Sequence, residues 1–404
     1  MKSRHIIVYI YNSFKDPLFQ NLVFSYIKTL SRQKCGCTFH LITHEQEAYA
    51  LTRQEAEIIH KILQIDSIYW YPLKHRTGSF LLVKKLIDFL RSFLLILSLK
   101  IRYRIEKIFC FANIAASFGL FYSKLLKMDL VVYSYEPHSA FMLELGVWKA
   151  SSLKYRLLHK VEEWVGKYAT HIMTGTKWMV EELKKRKTRA KVYRAPTAVD
   201  PNVFLFDQQI RQTHRKEHGW VEKAVFLYAG KFGGLYYTEE VFSFFRRVKQ
   251  RIAHAHLLVV SRDNKEMIID FAEKYLDSKD YTLREARSAE EMASWISAAD
   301  IGINAIPPTD AQKFRSPTKV AEYITVGIPY ISTEGISEDD SYARDYQIGA
   351  VTPSLSGQPS DSFYNELEFL LTENKNQQVA RIRKVGLEYR SKEHINRILK
   401  AIFC

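Results

Sequence analysis

The chain has 404 residues, 47% hydrophobic and 25% charged. That composition is globular, too apolar for a disordered or collagen-like chain, and the length exceeds what one hydrophobic core usually serves, so two domains are expected. A formal charge of +15 and a pI near 9.4 favour polyanionic partners: nucleic acid, an anionic membrane surface or a phosphorylated substrate.

The first residues, MKSRHIIVYIYNSFKD, hold too short an apolar core for a secretory signal and run straight into a strand pattern. A cytoplasmic protein is expected. Apolar, β-rich runs then alternate with segments of helical period. Strands are predicted at His5–Tyr11, Thr38–Thr43, Ser67–Trp70, Lys107–Phe111, Leu130–Ser134 and His171–Thr174, with helices over Pro17–Leu30, Thr52–Leu63, Phe80–Arg102, Ile114–Leu126 and Ser152–Tyr168 between them. After Ala195–Phe204, which reads APTAVDPNVF, a second series has strands at Ala224–Ala229, Leu257–Val260, Tyr281–Leu283, Ile301–Asn304, Tyr330–Ser332 and Ala350–Thr352. Such alternation predicts α/β domains with parallel sheets covered by helices, two Rossmann-like doubly wound units with a cleft between them. Their boundaries are set at 1–197 and 198–380, with a helical segment 381–404 free to cap the second domain or to cross back to the first.

Residues 74–107 carry nine Lys or Arg against two acids, interleaved with Leu, Ile and Phe. This suits a basic amphipathic surface at an anionic membrane, and equally a long core helix with solvated lysines. Lys84, Lys85, Asp88 and Arg91 interrupt it, so it does not span a bilayer. Cys35, Cys37, Cys110 and Cys404 form neither a CxxC pair nor a spaced zinc set and read as reduced thiols, with no metal or redox role.

The segment Phe314–Ser332, FRSPTKVAEYITVGIPYIS, is the most informative. Ser316 reads as an N-cap, Pro317 as the first helical residue, Thr318 and Lys319 as the first turn, and Gly327 and Pro329 as the stop. Free N–H groups at such a start face an anion. Glu322 falls on the same face as Thr318, ~6 Å further along at ~1.5 Å per residue, the span from a diphosphate to its ribose. An ordinary capped helix with Lys319 and Glu322 merely solvated reads equally well from these residues alone. Strand Ala224–Ala229 runs into Gly230-Lys231-Phe232-Gly233-Gly234, where glycine lets backbone amides approach a phosphate and Lys231 offers a charge; it is neither a P-loop nor GxGxxG, and a plain strand-end turn is the simpler reading. Arg262 follows the next strand as a phosphate ligand or a solvated charge.

Read in order, Gly230-Lys231, Ala299-Asp300-Ile301-Gly302-Ile303 and SPTKVAEYITVGIPYIS make the chain resemble the GT-B glycosyltransferases, specifically glycosyltransferase family 4. EEWVGKYATHIMTGTKWMVEEL looks like the end of that family's N-terminal domain, and APTAVDPNVF is similar to its linker. The likeness covers about 170 residues well. It implies an N-terminal acceptor domain and a C-terminal donor domain, with sugar transferred from a nucleotide diphosphate to a glycan or lipid-linked acceptor in cell-surface polysaccharide synthesis. Retention of anomeric configuration, no metal and no further cofactor are also implied. By the resemblance, Glu322 holds the donor ribose, Thr318 and the helix start (Ser316, Pro317) the diphosphate, and Lys231 matches a basic residue after the first donor-domain strand. Glu136 and His138, in Tyr135-Glu136-Pro137-His138-Ser139 after Leu130–Ser134, fall where related enzymes place a histidine near the donor sugar, able to relay a proton or steady an oxocarbenium-like centre. Without that resemblance, Glu136 reads as a partner for a nearby lysine and His138 as a helix cap.

Three departures stand out. Phe314 occupies the position of a second family glutamate, the lysine expected soon after Lys231 is replaced by the Tyr236-Tyr237-Thr238 neighbourhood, and the first turn, YNSFKDPLFQ, lacks the family's glycine pair. Arg262, Lys313, Arg315 and Lys319 are the available substitutes for phosphate charge. Phe314 also leaves open an isomerising or inactive sugar-nucleotide binder. The cluster Lys184, Lys185, Arg186, Lys187, Arg189, Lys191 lacks any accompanying nucleic-acid motif, so no nucleic-acid partner is expected.

Overall fold

A computed structural model describes residues 4–16, 19–32, 36–78 and 80–404. The first two residues of the helix expected from Pro17, and Cys35, lie outside the described residues. Two parallel sheets organise the chain. One contains β1 (Arg4–Ile10), β2 (Cys37–Glu45), β3 (Ile68–Lys74), β4 (Lys107–Phe111), β5 (Asp129–Tyr133), β6 (His171–Thr174) and β7 (Lys191–Arg194) in the order β3-β2-β1-β4-β5-β6-β7. The other contains β8 (Ala224–Ala229), β9 (Ala255–Val260), β10 (Tyr281–Arg284), β11 (Ile301–Asn304), β12 (Tyr330–Thr333) and β13 (Gly349–Thr352) in the order β10-β9-β8-β11-β12-β13. Central strands such as β8 and β9 are buried along their whole length, as expected where helices cover both faces.

The helices are α1 (Ser25–Arg32, entered through a π-helical turn at Gln20–Phe24), α2 (Arg53–Ile65), α3 (Leu81–Tyr103), α4 (Ala112–Leu126), α5 (His138–Glu144), α6 (Leu153–Tyr168), α7 (Lys177–Lys185) and α8 (Gln208–Glu217). They continue as α9 (Glu240–Arg251), α10 (Lys265–Glu273), α11 (Ala289–Ala298), α12 (Thr318–Val326), α13 (Asp339–Asp345), α14 (Asp361–Thr372), α15 (Lys375–Tyr389) and α16 (Lys392–Phe403). The chain forms two compact units, one of Met1–Leu143, Trp148–Pro196 and Glu393–Cys404, the other of Glu144–Val147 and Thr197–Lys392. Residue 381 falls inside α15.

In the first unit, Phe403 of α16 packs edge-on against Phe39 and Phe109 (centroids 6.3 and 5.6 Å), and the Arg4 guanidinium donates to the Phe403 carbonyl at 3.1 Å. Cys37 and Cys110 are free and buried, but Cys404 is disulfide-bonded, against the expectation of reduced thiols: spacing along a sequence does not reveal that the last helix returns to the first sheet. Strand β7 was also not expected. It is a four-residue edge strand, KVYR, at the end of a lysine-rich run that reads as solvated helix.

Two of the charges that interrupt α3 are tied into this unit. Asp88, 1% exposed, accepts from Tyr11 Oη at 2.9 Å and Arg76 Nη1 at 2.6 Å, and Lys85 Nζ donates to Tyr11 Oη at 2.8 Å. The helix is therefore anchored by one polar face, while Val83, Leu86, Leu90, Leu94 and Ile101 stay exposed.

In the second unit, Asp300 precedes β11 and gathers Arg211, Arg215, Lys375 and the Val225 N–H (2.9 Å) at the amino end of the sheet. Burial alone would raise its pKa, yet these partners hold it well below the usual carboxylate range. At the carboxyl end, α12 rests on the sheet through Tyr323, whose hydroxyl accepts from Ala229 N–H at 3.2 Å and lies 3.4 Å from the carbonyls of Leu227 and Ile303. The ring covers Gly302, where an added Cβ would stand 2.4 Å from the nearest ring carbon. Gly302→Ala must therefore lift α12 or bend β11, at a cost of about 1–3 kcal/mol typical of overpacking. Urea unfolding should show a lowered midpoint with an unchanged slope.

Candidate functional site

In an open α/β sheet, ligands lie beyond the carboxyl ends of strands, where the strand order reverses. In the second unit that point is between β8 and β11, and three segments converge there: the Gly230–Thr238 turn after β8, Ser261–Asp263 after β9, and the start of α12. Gly230 has φ +129°, accessible to few residues other than glycine. The turn folds back onto the sheet through Tyr237 N–H to the Ala305 carbonyl (3.2 Å) and Gly233 N–H to the Tyr237 carbonyl (3.3 Å).

This fold brings Tyr228 and Tyr236 to Lys319. The lysine is 7% exposed, and its Nζ stands 4.6 Å from the Tyr228 ring centroid and 4.3 Å from that of Tyr236. It is so close to Gly230 that a Cβ there would be 3.4 Å from Nζ. Arg315 lies on the same tyrosine: its guanidinium is 4.9 Å from the Tyr236 centroid and its Nη2 donates to Tyr236 Oη at 3.0 Å. Neither Lys319 Nζ nor Arg315 Nη1 has a hydrogen-bond partner, although both atoms are buried.

Two cations on one ring, with unused donors and no hydrogen-bonded acceptor for them, are costly. The lysine responds by holding its proton loosely: burial, then the Arg315 charge, lower its pKa to about 7, with Glu322 acting in the opposite sense. Burial raises Glu322 to about 7, against the attraction of Lys319. The first-turn N–H groups of α12 have no intrahelical acceptors. Two unused donors, the open start of a helix and a carboxylate one turn along it therefore lie together at this end of the sheet.

The remaining expected residues take several positions. Pro317, not Ser316, is the N-cap, and Thr318 opens the helix. Ser316 is diverted because its Oγ accepts from Thr197 N–H at 2.9 Å and from Arg390 Nη1 at 2.5 Å, so it fixes the approach to α12. Lys231 is exposed, and its carbonyl accepts from Tyr228 Oη. Arg262 is also exposed, with Nε donating to the Ala286 carbonyl at 2.7 Å. Lys313 is exposed and Phe314 half-buried. Of the four substitutes for phosphate charge, Arg315 and Lys319 come together. The two tyrosines that flank them were not foreseen; the only signal was Tyr236 standing where a lysine was expected.

Glu136 and His138 belong to the first unit, on the loop from β5 into α5. Both are half-buried, and the His138 ring meets Trp148 edge-on at 5.6 Å. Ser134, where the loop begins, has φ +58°, a strained value for a residue with a side chain. Among the described residues, one group has metal-ligand geometry, His214, Glu217 and His218 on and just past α8, and it is not part of either loop.

No family model matches the chain, and no curated protein is similar to it. Solved structures are. Alr3699/HepE of Anabaena, crystallised with UDP, aligns over 99% of both chains with a TM-score of 0.70 at 9% identity. Sucrose-phosphate synthase of Thermosynechococcus elongatus aligns over 99% of this chain and 98% of its own, with a TM-score of 0.73 at 11% identity. WaaG, a glycosyltransferase involved in lipopolysaccharide biosynthesis, aligns over 99% of both chains with a TM-score of 0.66 at 14% identity. Along its full length the chain is thus folded like these proteins, in the GT-B arrangement of two Rossmann-like sheets.

Proposed function

We propose that the protein is a glycosyltransferase that moves a sugar from a nucleotide diphosphate to a glycan or lipid-linked acceptor, with retention and without a metal, in cell-surface polysaccharide synthesis. The observation that carries this reading is the pair of buried, unpartnered nitrogens of Lys319 and Arg315 beside Glu322. A diphosphate would accept from both nitrogens and from the α12 N–H groups, and its ribose would reach Glu322. In the transfer, the bond between the anomeric carbon and the β-phosphate oxygen breaks with its electron pair going to phosphate. A new bond forms from that carbon to an acceptor hydroxyl, which releases its proton. Lys319 and Arg315 would stabilise the charge growing on the leaving diphosphate, the role a metal ion serves elsewhere. Glu136 and His138 are the candidates for the sugar and the acceptor proton.

UDP is the first nucleotide to test, given its presence in the HepE crystals. Calorimetry should show UDP or another nucleoside diphosphate bound by the wild type and weakened about 10- to 100-fold in Lys319→Met, the loss of a charge-assisted hydrogen bond. Glu322→Ala should also weaken binding. The proton balance gives a sharper readout. Lys319 titrates near 7 in the free protein, and a bound diphosphate returns it to the charged form. Binding at pH 8 should therefore take up a proton, seen as a heat that varies with buffer ionisation enthalpy, and affinity should fall as pH rises above about 7. No uptake at pH 8 would remove Lys319 from the site. Product analysis with and without acceptor separates transfer from isomerisation of the donor.

A membrane-bound acceptor is favoured by the first unit's surface. Exposed Leu90 and Leu94 on α3, Phe121 and Leu125 on α4, and Leu157 and Trp164 on α6 belong to helices packed in succession. Arg91, Lys124 and Lys127 are exposed among them. No helix among the described residues is long and apolar enough to cross a membrane, so the proposed contact is peripheral, with basic residues each adding ~1 kcal/mol at an anionic surface. Co-sedimentation with phosphatidylglycerol vesicles at low salt should be abolished by Leu90→Glu with Leu94→Glu; absence of binding by the wild type removes the membrane from the reading.

A further inference from the structure

The loop that carries Glu136 and His138 is held by a carboxylate that takes no part in the chemistry proposed above. Glu162, on α6, is 6% exposed. Its two oxygens each accept from the Ser139 N–H at 3.1 Å, one accepts from Ser139 Oγ at 2.5 Å, and the other from Asn113 Nδ2 at 3.0 Å. Asn113 Nδ2 also donates to the Glu136 carbonyl, and the same carbonyl accepts from His138 N–H at 2.8 Å. Beneath the loop, Tyr135 Oη donates to the backbone carbonyl of Glu162 at 2.8 Å, and Thr174 Oγ1 donates to the Tyr135 carbonyl at 2.8 Å. Gly166 leaves room for this, since a Cβ there would be 2.6 Å from Tyr135 Oη.

One α6 turn therefore grips the loop at Tyr135 and at Ser139, and through Asn113 at Glu136. A buried carboxylate fastened mainly by neutral donors, with the Arg186 charge the last of the groups that favour its ionised form, is expensive to keep unless its placement matters. Burial raises its pKa against the pull of the Ser139 and Asn113 donors. The left-handed Ser134 at the loop's origin persists only because the surroundings over-determine it.

We propose that Glu162 is a positioning residue: through Ser139 and Asn113 it fixes the backbone from which Glu136 and His138 project, and so sets their placement for transfer. The proposal rests on the reading of those two residues as the sugar-side groups.

The test uses Glu162→Gln in the full chain, which keeps the side chain's size but turns an acceptor into a donor facing Asn113. Histidine-labelled protein, with the His138 ring signals identified by their loss in His138→Gln, should show those signals shifted or doubled in Glu162→Gln. Apart from His159, whose Nδ1 lies 3.0 Å from Ser139 Oγ, the other histidines should be unchanged. Transfer should lose about 10- to 100-fold in kcat, the scale of a small misplacement, with donor KM and calorimetric nucleotide affinity unaltered. Glu162→Asp should recover part of it. A merely structural carboxylate would lower thermal stability while leaving the His138 signals and kcat of the folded protein at wild-type values, which overturns the proposal. Shifted His138 signals in Glu162→Gln, together with full transfer by His138→Gln, would instead overturn the role of His138 on which the proposal rests. If Glu162→Gln does not fold, Asn113→Ala releases the Glu136 carbonyl while leaving the Ser139 bonds in place, and the same signals decide.

Discussion

Gly302 has no side chain, and the ring of Tyr323 lies where one would be. Because the tyrosine hydroxyl also accepts from Ala229 N–H, α12 is pinned across β8 and β11 at the point where the strand order turns. Gly386 of α15 fixes the helix from behind: a Cβ there would stand 2.4 Å from the Ile324 carbonyl. The helix can neither sink nor recede. Lys319, four residues before Tyr323, is consequently held over Gly230, and Glu322, its neighbour in sequence, lies one turn beyond the helix start. Tight packing of apolar and aromatic groups thus fixes the place of two ionisable groups that would otherwise seek solvent or each other.

Much of this was legible in the sequence. Strand runs such as AVFLYA and IGIN have the continuous apolar character of parallel strands buried on both faces, and β4, β6, β8 and β11 fall at the expected residues. The helix bearing Lys319 and Glu322 was readable from its proline start and glycine stop. What could not be read is anything that depends on a distant partner. Ser316 has the right chemistry for an N-cap, but Arg390 and Thr197 claim its hydroxyl. Lys231 and Arg262 follow their strands as a phosphate ligand might, yet both point to the surface, and Lys319 reaches the turn from a different element. The clamp of Glu162 on Ser139 spans 23 residues, with no local pattern to announce it.

The unit's basic residues separate by what faces them. At the amino end of the sheet, Arg211, Arg215 and Lys375 surround Asp300; all three pair with that one carboxylate, and removing it would leave three charges uncompensated in a buried place. At the carboxyl end of the same sheet, Lys319 and Arg315 share a tyrosine, and Lys319 Nζ and Arg315 Nη1 have no hydrogen-bonded acceptor. Both clusters arise from the same residue types and the same burial. A fold selected for stability alone would finish the second cluster as it finished the first, with an acidic side chain in place of Tyr236. Leaving it unfinished makes sense when the missing acceptor arrives with a ligand, and the nucleotide diphosphate proposed as donor would bring a phosphate to the two cations and the helix start and a ribose to the carboxylate one turn away.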